Sequence, residues 1–336
     1  MKARGLVLAA SVAGGTVAAL AGLALLAGAS PASALASLVE GAAGSRAALG
    51  ETMTRATSLV LLAVGAAVAF RAGALNIGLE GQFLMGAAAA AAVGPALGSV
   101  PWTARVALLA AAALAGALAS APAVWLAERR GVPPVLSTIL LNLVAAAAVT
   151  WLVRGPLQDP GADYPQSRPL AAAVRFDPLF AGGRTTAAFP VALFFAAGAG
   201  IVLSRTPVGL ALRAAGASPQ AARAIGLDDA ALRGGAFLVS GAFAGLAGGL
   251  EVVAVTGRLF DPFSAGVGYL GIAAALLGGT RAGGATAAAL LLAALGAGSG
   301  AMQRDTGVPS AIAALVPGLL VLAVLLARRR LGPEHA

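Results

Sequence analysis

Arg71, Asn76, Glu80 and Gln82 sit between two apolar stretches that are about a dozen residues apart. A charge at membrane depth costs about 2.5 to 3.5 kcal/mol on insertion scales, so such groups must face protein or a water path. Asn76 and Gln82 can donate and accept at once without a charge, which suits either a polar ligand or the support of unwound backbone. Glu80 reads either as a partner of Arg71 that holds that segment in shape, the favoured role, or as a direct contact for a solute. Glu251 lies toward the end of another apolar stretch, ahead of Arg258. It reads either as a paired or snorkelled structural carboxylate or as a hydrogen-bonding group for a solute.

None of these residues forms a catalytic constellation. There is no cysteine, and His335 is the one histidine. Disulfides, iron–sulfur ligation and a Cys/His zinc site are therefore excluded, and neither a catalytic nor a metal site is expected. The single lysine is Lys2, so a Gly-x-x-x-x-Gly-Lys-Ser/Thr phosphate loop cannot exist in this chain. Adjacent Asp228 and Asp229 read as a helix start or a solvated turn. The formal charge is +9, but the arginines are scattered between apolar runs with no aromatic platform, which argues against nucleic acid as a partner.

A second polar stretch, about 205–233, carries Ser218 followed by Pro219. Serine as N-cap and proline at the first helical position start a helix, and Gly226 sits where a C-terminus belongs. A helix over 219–225 between two apolar spans is either a solvated connection or a knob for a partner.

The elements that must position these groups are membrane spans. The 336 residues are 59% hydrophobic and 10% charged, too little polar surface for a water-exposed globule. We expect an all-α polytopic bundle of about ten transmembrane helices, some broken or short, in one domain covering 1–336. The spans are placed at 5–29, 58–70, 83–100, 106–127, 135–153, 190–203, 235–256, 269–279, 285–302 and 311–327. The first reads as an uncleaved span, because the run exceeds a signal-peptide core although Ala32-Ser33-Ala34 mimics a cleavage site. Spans 58–70 and 269–279 are short, as broken helices near a solute path are. Gly241, Gly245 and Gly249 make a close-packing helix face. Trp102, Trp125, Trp151 and Tyr269 read as interfacial anchors, and Phe260 and Phe263 as loop packing.

If the spans alternate, thirteen of the 22 basic residues share one side. That bias is weak, and the tight clusters near the termini and at Glu128–Arg130 set the orientation, with both termini cytoplasmic. The stretch 205–233 then faces inward. The stretch 154–189, with five prolines, faces outward as an ordered loop without a long helix.

The inward stretch resembles the coupling segment of ATP-binding-cassette importer permeases in the branched-chain amino acid, ribose and nucleoside superfamily. Their pattern Arg-Ala-x-Gly-x-x-Pro-x-Ala-Ala-x-x-x-Gly-Ile is met here with Leu227 in place of the last Ile. Asn76-Ile-Gly78-Leu-Glu80-Gly81-Gln82 is similar to the signature of the nucleoside-type, basic-membrane-lipoprotein-associated branch. Gly271-Ile-Ala-Ala-Ala-Leu-Leu-Gly278 is similar to a third motif of that branch, with Ala274 where Val is common. The resemblance covers about 55–325.

The resemblance implies a permease subunit, not an enzyme, that carries a nucleoside or similar small polar solute across a bacterial cell (inner) membrane. Gly209, Arg213, Gly216, Pro219, Ala221, Ala222 and Gly226 would couple it to a separate ATPase subunit, which holds ATP and Mg; the chain itself needs no cofactor. Asn76, Gly78, Glu80, Gly81, Gln82 and Glu251 would belong to the signature or the translocation path. The implied partners are that ATPase, a second and different permease, a substrate-binding lipoprotein or periplasmic protein, and the lipid bilayer. An importer for a simple sugar, or an ion-coupled secondary transporter with Glu80 or Glu251 as proton relay, is the rival reading.

Overall fold

The computed structural model describes residues 28–97, 101–179 and 184–308, together with isolated positions near either end. Among the described residues the fold is all-helical, with isolated backbone bridges and no strand. The helices are α1 (Pro31–Ala43), α2 (Arg46–Arg71), α3 (Leu79–Val93), α4 (Pro101–Arg130), α5 (Pro134–Arg154), α6 (Ala188–Arg205), α7 (Pro207–Ala217), α8 (Pro219–Ala224), α9 (Asp229–Glu251), α10 (Val267–Leu277) and α11 (Ala282–Thr306). A π-helical turn, Val252–Thr256, extends α9.

Six of these elements are long and apolar enough to cross a membrane: α2, α4, α5, α6, α9 with its π turn, and α11. The expected count of ten is therefore not met among the described residues. The spans expected at 5–29 and 311–327 lie outside them. The segment expected at 83–100 is the fifteen-residue α3, followed by a short 3-10 turn at Gly94–Ala96. Helix α1 was not expected; Leu38 and Gly41 pack it against Gly298 and Ala301 of α11.

The short span expected at 58–70 is a correction. Helix α2 begins twelve residues earlier and is 26 residues long. Glu51 and Arg55 pair at 2.9 Å within its first turns and Arg184 reaches Glu51 at 3.3 Å, so charges that interrupt the apolar run do not interrupt the helix. The other short segment is short in the fold as well: α10 has eleven residues, about 16 Å at 1.5 Å each.

Small residues set the core. The glycine face of α9 packs directly on backbone. A Cβ on Gly245 would lie 2.2 Å from the Ala112 carbonyl oxygen of α4, one on Gly241 2.6 Å from that of Gly116, and one on Gly248 2.0 Å from that of Phe83 in α3. Dispersion between closely approaching backbones holds helices together where lipid removes the hydrophobic drive. The middle of α2, Leu59 to Ala69, is buried throughout, so α2 and α9 form the centre of the bundle. Trp102, Trp125 and Trp151 are exposed near helix ends, as interfacial anchors are.

Candidate functional site

Helix α2 ends at Arg71, and the chain runs unwound from Ala72 to Gly78 before α3 starts. Helix α10 lies beside α2 in parallel register. Gly271 has room for no Cβ because Leu62 is there, and nine residues further on in both segments Arg71 Nε, at the end of α2, donates to the Thr280 carbonyl, just past the end of α10, at 3.0 Å. The ends of α2 and α10 are thus level, and α10 starts about 16 Å inside that level, roughly half of a ~30 Å hydrocarbon core. Two irregular stretches, 72–78 and 257–266, meet at this depth.

Polar side chains of the signature fasten them. Asn76, fully buried, and Gln82 exchange reciprocal amide hydrogen bonds at 2.9 and 3.0 Å. Asn76 Oδ1 also accepts from the Gly78 N–H at 2.9 Å, and its amide donates to Ser240 Oγ of α9 at 3.0 Å. The buried amides of Asn76 and Gln82 and the Gly78 N–H are thereby served inside the protein, as polar groups at membrane depth must be. The two amides support backbone; Gln82 in addition lines a cavity.

Glu80 does not pair with Arg71, which corrects the sequence expectation. Its carboxylate accepts from the N–H groups of Gly266 at 3.1 Å and Gly268 at 2.7 Å. An anion at the first turn of a helix meets its unpaired N–H groups and the positive end of its dipole. Glu80 thus caps α10 and joins the two irregular stretches. Gly268 admits no side chain, because a Cβ would stand 2.4 Å from the Glu80 nitrogen.

Gly78, Gly81 and Gln82 face a cavity of about 200 Å³ closed by Thr138 and Asn142 of α5 and Pro122 of α4. Asn142 was missed by sequence reasoning. It accepts from the Gly81 N–H at 2.9 Å and donates to the Ile77 carbonyl at 3.0 Å and to Tyr269 Oη at 3.1 Å. Its signal was available as the one amide in an otherwise apolar helix, which membrane energetics marks as purposeful. Tyr269, expected to be an interfacial anchor, belongs to this network instead. Phe263 stacks on Phe83 with centroids 5.9 Å apart and meets Phe260 at 5.3 Å, the loop packing expected.

Glu251 is apart from this cluster. It accepts from Ser58 Oγ at 2.5 Å and not from Arg258, immediately before the π turn of α9. Single π turns are frequent at functional positions in helices. The loop 154–189 is zipped to that turn and the chain after it: Phe176, Leu170 and Ser167 donate their N–H groups to the carbonyls of Val253, Gly257 and Leu259.

The stretch 205–233 holds the helix expected over 219–225 as α8 and a further helix, α7, before it. Thr206 caps α7 and Ser218 caps α8, each accepting from an N–H three residues on at 3.2 Å. Gly209 and Gly216 are packing positions: a Cβ on Gly209 would stand 2.2 Å from the Val202 carbonyl oxygen, and one on Gly216 2.2 Å from that of Arg71. Arg213 donates to the Leu203 carbonyl at the end of α6. Ala222 is buried, whereas Ala221 and Gly226, which has φ +83°, are exposed, as is Ile225. Asp228 is the N-cap of α9, and Asp229 is buried between Arg223 and Arg233. The end of α7 thus touches Arg71 and Gly73, the very start of the unwound stretch.

The described residues hold no group of three or more metal-ligating side chains. No solved structure matches the chain. The chain is 34% identical over 310 residues, 89% of its length and 87% of the relative's, to a guanosine ABC transporter permease protein of Bacillus subtilis. A second guanosine ABC transporter permease protein of the same organism is 28% identical over 71% of the chain and 77% of its own length. A glucose ABC transporter permease protein of Haloferax volcanii is 32% identical over 82% of the chain and 75% of its own length. Residues 48–325 match the family described as branched-chain amino acid transport system, permease component. With that match spanning most of the chain, the protein is a multi-pass membrane permease of this family, a transport subunit and not an enzyme.

Proposed function

We propose that the chain forms half of the translocation path of an importer for nucleosides, driven by a separate ATPase subunit that binds ATP and Mg. The observation that carries this reading is the α7–α8 pair. It projects Ala221 and Ile225 into solvent, while Gly216 touches the backbone where the signature begins. A push on α8 by an ATPase reaches the unwound stretch through one van der Waals contact. The α7–α8 side is then the cytoplasmic side, and both termini are cytoplasmic as well.

The fastened junction at Asn76, Glu80, Gln82 and Asn142 is the part of the path this chain supplies. Its cavity of about 200 Å³ is below the ~300 Å³ at which small-molecule pockets begin, so a nucleoside needs the helices around it to part. The guanosine permeases of Bacillus subtilis are two different proteins, each similar to this chain; this supports a heterodimer with a second permease. A substrate-binding lipoprotein or periplasmic protein would deliver solute to the outward loop. The similarity to a glucose permease favours a simple sugar as second reading.

The test uses the permease co-expressed with its ATPase. Ala221→Glu and Ile225→Asp change exposed positions only, and should release the ATPase in pull-downs while the permease elutes unchanged. Retention of the ATPase by both variants would overturn the coupling role. Uptake of labelled guanosine resisting competition by glucose supports the nucleoside; the reverse pattern supports the sugar.

A further inference from the structure

Three guanidiniums, those of Arg71, Arg213 and Arg281, line one cavity of about 380 Å³ where α2, α6, α7 and α11 converge. Arg281 and Arg213 both lie close enough to Arg71 to repel its charge. Two are held from behind: Arg71 by the Thr280 carbonyl and Arg213 by the Leu203 carbonyl. None of the three makes an ion pair among the described residues; the five that exist use Arg55, Arg154, Arg184, Arg223 and Arg233. The fold therefore assembles a positive pocket for which the described residues supply no anion.

Leu203 is also a wall of a second cavity, an apolar groove of about 470 Å³ between α6 and α9. The groove runs from Val208 and Leu232 at the basic end to Phe194 and Phe243, about 13 Å along α6 at 1.5 Å per residue. Phe194 is 73% exposed and Val208 56%, so the groove opens sideways from the bundle. Gly198 and Gly235 line it, and a Cβ on either would meet nothing within 4 Å.

We propose that this place binds an anionic phospholipid, its phosphate on Arg71, Arg213 and Arg281 and one acyl chain in the groove between α6 and α9. A basic pocket at the end of a lateral apolar groove matches an amphiphile with a charged head, and basic pockets between transmembrane helices on the cytoplasmic side hold anionic head groups. A free anion fits the arginines but leaves the groove unused, and so does a carboxylate of the ATPase. The inference rests on the inward placement of α7, not on the identity of the solute.

Native mass spectrometry of the full chain purified with its partner subunits tests it, after incubation with phosphatidylglycerol or phosphatidylcholine of the same acyl chains. Retention of phosphatidylglycerol over phosphatidylcholine is expected. Arg281→Gln should lower that retention several-fold by weakening the head site, and Gly235→Leu should do so by filling the groove, with Gly198→Leu as a second filler. Millimolar inorganic phosphate should not displace the lipid. Equal retention of both lipids, or phosphatidylglycerol retained undiminished by the head and groove variants, overturns the proposal. So does displacement by phosphate with both fillers silent, which marks a small-anion or adventitious site. Loss of the ATPase from Arg281→Gln with lipid unchanged overturns it too, assigning the arginines to the ATPase surface.

Discussion

Arg223 of the short helix α8 donates from Nε to Asp229 Oδ1 at 2.6 Å, and Asp229 lies in the first turn of the spanning helix α9. Arg233, one turn further on, reaches the other oxygen at 2.8 Å. The proposed handle is thus tied to a helix whose far end carries Glu251 and the π turn. Replacing Asp229 by Asn keeps the shape and removes the charge. With Arg223 61% exposed, the bond to it is worth about 0.2–1 kcal/mol to folding, so Asp229→Asn should remain folded in the membrane. Its ATP-driven uptake into proteoliposomes is expected to fall several-fold with ATPase binding retained. Uptake at the wild-type rate would show that the link carries no motion.

The Asn76–Gln82 pair predicts a non-additive cycle. Asn76→Ala orphans the Gln82 amide, Ser240 and the Gly78 N–H, at about 1–3 kcal/mol for each buried group left unpaired. Thermal unfolding of the purified chain should show a large loss for either single alanine variant and a double-variant loss below their sum. Additive losses would mean that the two amides act separately.

Glu80 as the cap of α10 predicts a graded series. Glu80→Gln keeps one carbonyl acceptor and loses a charge at a helix start worth about 0.3–2 kcal/mol. Glu80→Ala leaves the Gly266 and Gly268 N–H groups unpaired at membrane depth, at several kcal/mol. Melting temperatures should fall in the order wild type, Gln, Ala. A proton relay at this position would instead leave stability unchanged and make uptake follow the proton gradient.

Two glycines of α9 should respond in opposite directions. In Gly248→Ala the new methyl would stand 2.0 Å from the Phe83 carbonyl oxygen, so α3 and α9 must separate. Little folded protein is expected by size-exclusion chromatography. Gly235→Ala meets open space and should be neutral or stabilising by up to about 1 kcal/mol.

Much of this protein is legible in its residues. Hydropathy located the apolar middles of the six long helices, because lipid demands long apolar runs whatever the fold. Ser218-Pro219 and Gly226 announced the short helix, since cap chemistry is local. The glycine spacing in α9 named the face on which α4 packs. Hydropathy failed at the outer turns of α2, where Glu51 and Arg55 neutralise one another within the helix and the apolar signal is lost although the helix is not.

The tertiary structure alone decided the partners of the polar groups. Charge and proximity in sequence offered Arg71 to Glu80 and Arg258 to Glu251. The fold gave Glu80 two backbone N–H groups from a segment 186 and 188 residues away, and gave Glu251 the hydroxyl of Ser58. Composition determines that every buried polar group must find a partner, because none can be left bare in hydrocarbon. Which partner it finds depends on what the packing of α2, α3, α9 and α10 brings within 3 Å, and that distance is fixed by glycine contacts between helices remote in the chain.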